Sequence, residues 1–170
     1  MGKSLHPMNI PVNIEEQFLG LVPEDELRQW AERALEAEGI TKSVELSIAV
    51  VDDPVIQRLN RDYRGLDEPT DVLSFPWMDE VAGHDLFDEA QDRVGGGFVY
   101  PPGGGINLGE VVIAYNYAAT QARAEGRPID REIAHLLVHG VLHILGYDHE
   151  VDEEERVMRE REEAILGWKV

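Results

Sequence analysis

Apolar residues recur along the chain with two different periods, and these periods predict its secondary structure. Alternating or β-branched apolar runs predict four strands, at 9–14, 44–51, 71–75 and 108–114. Apolar positions at helical spacing predict five helices, at 23–38, 53–63, 115–126, 128–145 and 150–166. This order predicts an α+β fold in which one four-stranded mixed β-sheet packs against about five helices.

Two segments depart from ordinary patterning. Apolar residues surround the helix at 128–145 almost completely, so we expect it to be the buried central helix of the fold. Segment 78–105 carries seven glycines and two prolines, which predicts a long Gly/Pro-rich loop insertion. A length of 170 residues fits one domain, 1–170, with a core of its own.

Three histidines of the central helix and the turn after it stand at a spacing that can close on one divalent metal. His139 and His143 lie one helical turn apart on the same face, and Gly146 can turn the chain back so that His149 joins them. Three neutral imidazoles suit zinc, nickel, copper or iron, and they leave a coordination position open, as in catalytic zinc sites. The spacing is that of the long zincin motif, but Gly140 stands where those proteases carry their general-base glutamate.

Two further polar residues flank this motif. His135 precedes His139 by one turn and could be a fourth ligand, a group supporting the ligands or a substrate contact. The helical rise of ~6 Å between them favours the last two interpretations. Asp148, beside His149, is a candidate to orient a ligand histidine or to carry a proton.

A dense polar turn leads into the predicted strand at 71–75. Within it, the Arg64 guanidinium could offer a rigid fork to a phosphate or carboxylate, or it could pair with Asp67 or Asp71 to stabilise the turn. Arg64 also continues a basic stripe with Arg58 and Arg61 on the preceding helix.

Charge and composition limit the function classes. The net charge of −19 argues against a generic, sequence-blind nucleic-acid binder, which is usually basic. Nine acidic residues against three arginines over 148–163 predict a solvated acidic helix. Cysteine is absent, no apolar stretch reaches the ~20 residues of a membrane span, and no signal peptide is recognisable, so the cytoplasm is the expected location.

The histidine motif also carries a family resemblance. The stretch from His139 to His149 matches the pattern H-G-x-L-H-x-x-G-Y-D-H of the YbeY-type family of bacterial metal-dependent endoribonucleases at every position. Segments 63–76 and 108–113 resemble the same family, with Glu110 where aspartate is usual. The similarity covers roughly 44–76 and 106–166, while the Gly/Pro-rich segment is longer than the family's usual connection.

The resemblance implies a single-strand-specific endoribonuclease that acts in rRNA maturation, at the 16S rRNA 3′ end, and in ribosome quality control. It implies one Zn²⁺ per chain, with Ni²⁺ as the alternative, held by His139, His143 and His149. Arg64 is then the functional arginine, and His135 and Asp148 complete the catalytic candidates. The expected partners are an rRNA precursor and ribosomal proteins, with no membrane and no DNA.

Several alternatives remain open at this point. The chain could be a metal-dependent hydrolase of a non-RNA substrate, with Glu110 serving as base from another element. It could also be a non-catalytic ribosome-assembly factor whose metal braces the fold. If RNA is cleaved, the nucleophile could be water or the RNA 2′-hydroxyl.

Overall fold

The computed structural model describes residues 8–40, 43–77 and 106–170, and the predicted loop at 78–105 lies outside them. Its strands are β1 (Met8–Asn9), β2 (Val12–Ile14), β3 (Val44–Val51), β4 (Val72–Pro76) and β5 (Ile106–Ala114). Its helices are α1 (Glu24–Ala37), α2 (Asp53–Arg64), α3 (Tyr115–Glu125), α4 (Ile129–Ile144) and α5 (Asp152–Leu166). Within the described residues this confirms the α+β class and the five predicted helices.

The five strands form one mixed sheet. Its order is β1-β3-β5-β4, and β2 also pairs with β3. All pairs are parallel except β4 with β5. The predicted strand at 9–14 is divided at Pro11, whose carbonyl accepts a hydrogen bond from the Ile48 N–H (2.9 Å) and whose nitrogen has no proton to donate. The sheet therefore has five strands where four were predicted.

The two faces of the sheet bury different helices. Every second residue of β3 contributes to a large core that also includes α1, α4 and α5 (Val44, Leu46, Ile48 and Val50). On the other face, Val51 and Val112 pack against Ile56 of α2 in a smaller cluster. The buried central helix predicted from the sequence is α4. It packs against the sheet on one side and also contacts α1, α3 and α5.

A β-bulge interrupts β5 near its start. Glu45 pairs with Asn107 but Leu46 pairs with Gly109, so that Leu108 is an extra residue, and its side chain is buried in the core. Gly109 adopts a φ of +134°, and its N–H donates to Asn107 Oδ1 (3.1 Å). A Cβ added at Gly109 would lie 2.1 Å from the Phe75 carbonyl oxygen on β4.

None of the helices in the described part of the chain combines the length and apolar character that crossing a bilayer demands.

We expect Gly109→Ala to lower the free energy of unfolding by about 2–4 kcal/mol, because it adds a backbone clash to an unfavourable φ. Gly126→Ala is the matched control, since Gly126 also has a positive φ (+66°) but its added Cβ would meet nothing within 4 Å. The control should cost only about 1 kcal/mol. Urea unfolding of both variants measures the difference, and equal losses would show that the close approach of β4 is not what requires glycine.

Candidate metal centre

The last two turns of α4 and the turn that follows gather three imidazoles. The ring centroids of His139 and His143 lie 4.6 Å apart, and His149 lies 5.6 Å and 4.9 Å from them. One ring nitrogen of each histidine falls within 4.8 Å of the other two. The structure thus brings the three histidines predicted as ligands into one cluster that could hold a metal ion.

The reversal of the chain after α4 depends on Gly146. Its φ is +101°, its N–H donates to the His143 carbonyl (3.0 Å), and the Tyr147 N–H donates to the Leu142 carbonyl (3.0 Å). These bonds satisfy carbonyls that the helix end leaves without partners. The turn carries His149 back over the end of α4, as the spacing predicted.

Hydrogen bonds on the far side of two imidazoles set their orientation. His139 Nδ1 lies 2.5 Å from Glu162 Oε1, and His143 Nδ1 lies 2.9 Å from the Tyr147 carbonyl oxygen. Both partners are acceptors, so each Nδ1 carries the proton and each Nε2 presents its lone pair.

The two Nε2 atoms of this pair then face each other at 3.0 Å. Two nitrogens bound to a tetrahedral zinc at about 2.0–2.1 Å stand about 3.3 Å apart, close to this separation. Burial, followed by the charges of His139 and His149, lowers the pKa of His143, which favours the neutral imidazole that a metal needs. The donor set therefore fits a divalent metal that prefers nitrogen.

Glu162, on α5, is the functional residue that the sequence reasoning missed. Its carboxylate is buried and accepts from both His139 and, at 3.1 Å, His135 Nε2. Burial by itself raises the pKa of this carboxyl, but hydrogen bonds and charge from the two histidines outweigh burial and lower the pKa to about 2.

The prediction of a solvated acidic helix was wrong for this one residue of α5. Glu162 continues a buried stripe at helical spacing, which comprises Met158, Glu162, Ile165 and Leu166. A carboxylate inside an apolar stripe is a signal that the sequence alone contains, because a buried charge requires partners.

His135 belongs to the edge of the site and not to the three-imidazole cluster. Its ring centroid lies 6.2 Å from that of His139, and its Nε2 is engaged by Glu162. His135, His139 and Glu162 form a second group whose ligand atoms lie within 4.8 Å of one another. All members of the two groups except His143 border a cavity of about 290 Å³ between α4 and α5.

Asp148 is half-exposed beside the third imidazole. Its Oδ1 accepts a hydrogen bond from the His149 backbone N–H (2.7 Å) and lies 3.7 Å from His149 Nδ1. The carboxylate therefore fixes the backbone of the His149 segment and holds negative charge next to that ring.

Arg64 lies apart from the imidazoles. It is the last residue of α2, which packs on the sheet face opposite α4, and its side chain is exposed. Within the described residues it makes no ion pair with Asp67, which accepts from Gln57, or with Asp71, which accepts from the Val72 N–H. The sequence allowed Arg64 either to bind an anion or to stabilise the turn by pairing with Asp67 or Asp71. The described part of the chain does not contain the second arrangement.

The sheet leaves no room for a side chain at residue 140, where zincin proteases carry their glutamate. A Cβ at Gly140 would lie 2.7 Å from Val111 Cγ1, and the Ser74 hydroxyl donates to the Gly140 carbonyl (3.0 Å). Glu110 precedes Val111 in β5 and therefore points to the other face of the sheet, where it lines a different cavity. Neither residue 140 nor Glu110 can act as a protease-type base beside the imidazoles.

We expect the neutral, metal-free forms of His139 and His143 to carry their proton on Nδ1. Glu162→Gln should lower the Nδ1–H population of His139 and leave that of His143 unchanged, because the acceptor of His143 is a backbone carbonyl. Long-range ¹H–¹⁵N spectra of the imidazoles report both tautomers in one sample, so His143 is the internal control. A Glu162→Gln variant with an unaltered His139 tautomer would contradict this role of the carboxylate.

Comparisons with known proteins give the site its context. The Endoribonuclease YbeY family model matches residues 12–168. Endoribonuclease YbeY of Pelotomaculum thermopropionicum is 41% identical over 156 residues, 92% of this chain and 89% of that protein. Endoribonuclease YbeY of Carboxydothermus hydrogenoformans is 43% identical over 156 residues, again 92% of this chain and 89% of that protein.

One solved structure is similar to this chain over almost its whole length. The solution structure of TM1509 from Thermotoga maritima is 25% identical to this chain, with a TM-score of 0.55. The match covers 95% of this chain and 90% of that one. The chain belongs to the Endoribonuclease YbeY family.

Proposed function

We propose that the protein is a zinc-dependent endoribonuclease that cuts single-stranded RNA. One observation carries the proposal. The Nε2 atoms of His139 and His143 lie 3.0 Å apart, and an acceptor at each Nδ1 leaves both Nε2 lone pairs available to a metal, with His149 beside them. Family membership supplies the reaction class, since the relatives are named endoribonucleases. Cleavage of an internal phosphodiester is therefore the reaction to test.

The proposed ligands are His139, His143 and His149, with one zinc per chain and nickel as the alternative. When bound, such an ion supplies Lewis acidity, which lowers the pKa of water and offsets negative charge at a phosphodiester. Glu162 keeps the His139 imidazole in the tautomer that presents Nε2, and the Tyr147 carbonyl does the same for His143.

We assign proton handling and orientation to the two flanking residues. His135 Nε2 donates to Glu162, so in the neutral ring Nδ1 carries the lone pair and is the nitrogen left to take a proton from the attacking water or 2′-hydroxyl. Asp148 orients the segment that presents His149 and places its negative charge near that ring. Both residues act at the rim of the site, where single-stranded RNA has room to enter.

Arg64 is proposed to bind a phosphate of the RNA. Its guanidinium is exposed at the C-terminal end of α2 and makes no ion pair within the described residues, so its planar fork is open to an anion. Arg58 is exposed two turns earlier on the same helix. These cations counter the repulsion that a protein of net charge −19 exerts on an RNA backbone.

Membership of the family supports a proposal for the cellular role. We propose that the substrate is an rRNA precursor, cut during maturation of the 16S rRNA 3′ end and in ribosome quality control, in the cytoplasm. Ribosomal proteins are the proposed partners that deliver this acidic protein to RNA.

We expect His143→Ala to lose its metal and to cleave single-stranded RNA at least about 100-fold more slowly, because it removes one of three ligands. Elemental analysis of protein purified without an affinity tag, beside gel assays on matched single- and double-stranded RNA, measures both effects. His135→Ala is the control that keeps the metal. A folded wild-type protein that takes up no zinc on titration would overturn the proposal.

Arg64→Ala should reduce kcat/KM for RNA about 10- to 100-fold while metal content is unchanged and stability stays within about 0.5 kcal/mol. The reason is that the side chain is exposed and contributes to phosphate binding, not to the core. Arg61→Ala is the matched control, because Arg61 already pairs with Asp62 on the same helix. Undiminished cleavage by Arg64→Ala would remove the arginine from the mechanism.

A further inference from the structure

The face of the sheet opposite the imidazoles has an open cavity of about 360 Å³. Its position follows from the strand register. The row Ala49–Val112–Leu73 lies under α2, whereas the next row, Ser47–Glu110–Phe75, borders the cavity. Leu59 and Tyr63, near the C-terminal end of α2, border the same cavity, so a groove of mixed polarity lies between that end of the helix and the second row.

Two large aromatic side chains flank this groove. Tyr63 is 70% exposed and Trp77 is 72% exposed. Tyr63 is held edge-on against Phe75, with ring centroids 5.2 Å apart. Exposed aromatic rings beside a cavity of this size offer flat apolar faces to a planar ligand, and unpaired RNA bases are bound in proteins by stacking on such rings.

The polar groups in the groove define a hydrogen-bonding pattern. Asn107 Oδ1 accepts from the Gly109 N–H, so the amide NH₂ is the group that Asn107 has left to offer. The Glu110 carboxylate, two acceptors, makes no hydrogen bond or ion pair within the described residues. The groove thus presents two adjacent acceptor oxygens and one donor group, the amide NH₂.

We propose that this groove binds an unpaired guanine of the RNA substrate, an inference that rests on the proposed function. The Watson–Crick edge of guanine offers two adjacent donors, N1–H and N2–H, and one acceptor, O6, which complement Glu110 and Asn107. Adenine, cytosine and uracil each lack a second adjacent donor and would leave one carboxylate oxygen of Glu110 unpaired.

The neighbouring cation completes a nucleotide site. Arg64 follows Tyr63 directly and has its guanidinium in solvent, where it can hold the phosphate attached to the stacked nucleoside. Glu110 lines the cavity and Arg64 does not, so the proposed site places the carboxylate against the base and the guanidinium against the phosphate. The RNA strand would then be held at one nucleotide beside the edge strand β4 as well as at the imidazole cluster on the other face.

The test is a titration of the full chain with 5′-GMP, 5′-AMP, 5′-CMP and 5′-UMP, followed through tryptophan indole N–H signals, with Trp77 assigned from Trp77→Phe. We expect GMP to shift the Trp77 indole and to bind on the order of tenfold more tightly than the other nucleotides. Trp30 and Trp168 pack against each other elsewhere and serve as internal controls.

Variants separate the two recognition elements. Glu110→Gln should abolish the preference for GMP, and Tyr63→Ala should weaken binding of GMP on the order of tenfold, while Glu45→Gln, outside the groove, changes neither. A Trp77 indole that no nucleotide shifts, or one that all four shift equally, overturns the guanine site.

Failure of this inference is distinguishable from failure of the proposed function. Mononucleotide binding is measured without cleavage, so a GMP-selective shift at Trp77 in a protein that does not cut RNA would reject the nuclease and keep the base site. Metal-dependent RNA cleavage with unchanged KM in Glu110→Gln and Tyr63→Ala would keep the nuclease and reject the base site.

Discussion

The tight packing of α4 against the sheet is the constraint on which the rest of the structure depends. Gly140 leaves no room for a side chain between the helix and Val111, so this helix is buried against β5 and β4. Its imidazoles can therefore open only toward the side that α5 covers. The half-buried rings of His139 and His143 each need an acceptor for the second nitrogen, because a polar group shielded from water without a partner costs up to about 1–3 kcal/mol. Glu162 and the Tyr147 carbonyl satisfy that need, and they also determine which nitrogen faces a metal.

Hydrogen bonds also connect the turn after α4 to the end of α1 and to α5. The Tyr147 hydroxyl donates to Glu38 (2.6 Å), and Arg161 of α5 donates to the same carboxylate (2.8 Å). Burial, together with the hydrogen bond and charge of Glu38, raises the pKa of Tyr147, so the hydroxyl keeps its proton as a donor. Because the carbonyl of this tyrosine also holds His143, the position of one ligand depends on α1 and α5 as well as on its own helix.

The local pattern of apolar and polar residues was sufficient to predict much of this architecture. The helices and most strands were predictable because apolar spacing reports burial, and the three histidines were predictable because a helical turn and one glycine fix their separation. The bulge at Leu108 was not predictable, since it arises from strand register, a relation between distant segments. The partners of His139 and His135 were missed for the same reason. Glu162 lies 23 residues from His139 in sequence, and only the packing of α5 on α4 brings it within a hydrogen bond.

The arginines of α5 and α2 differ in how far nearby carboxylates neutralise them. On α5, Arg156 pairs with Glu153 and Glu160, and Arg159 pairs with Glu155, so that helix presents local ion pairs and an excess of acid. On α2, Arg58 and Arg64 are exposed and make no ion pair within the described residues. At a Debye length of ~8 Å, a phosphate responds to the charges nearest to it and little to the net charge of −19. These two cations, unpaired within the described residues, support the proposed path of an RNA strand along α2 and the edge strand β4, the side on which the exposed aromatic rings also lie.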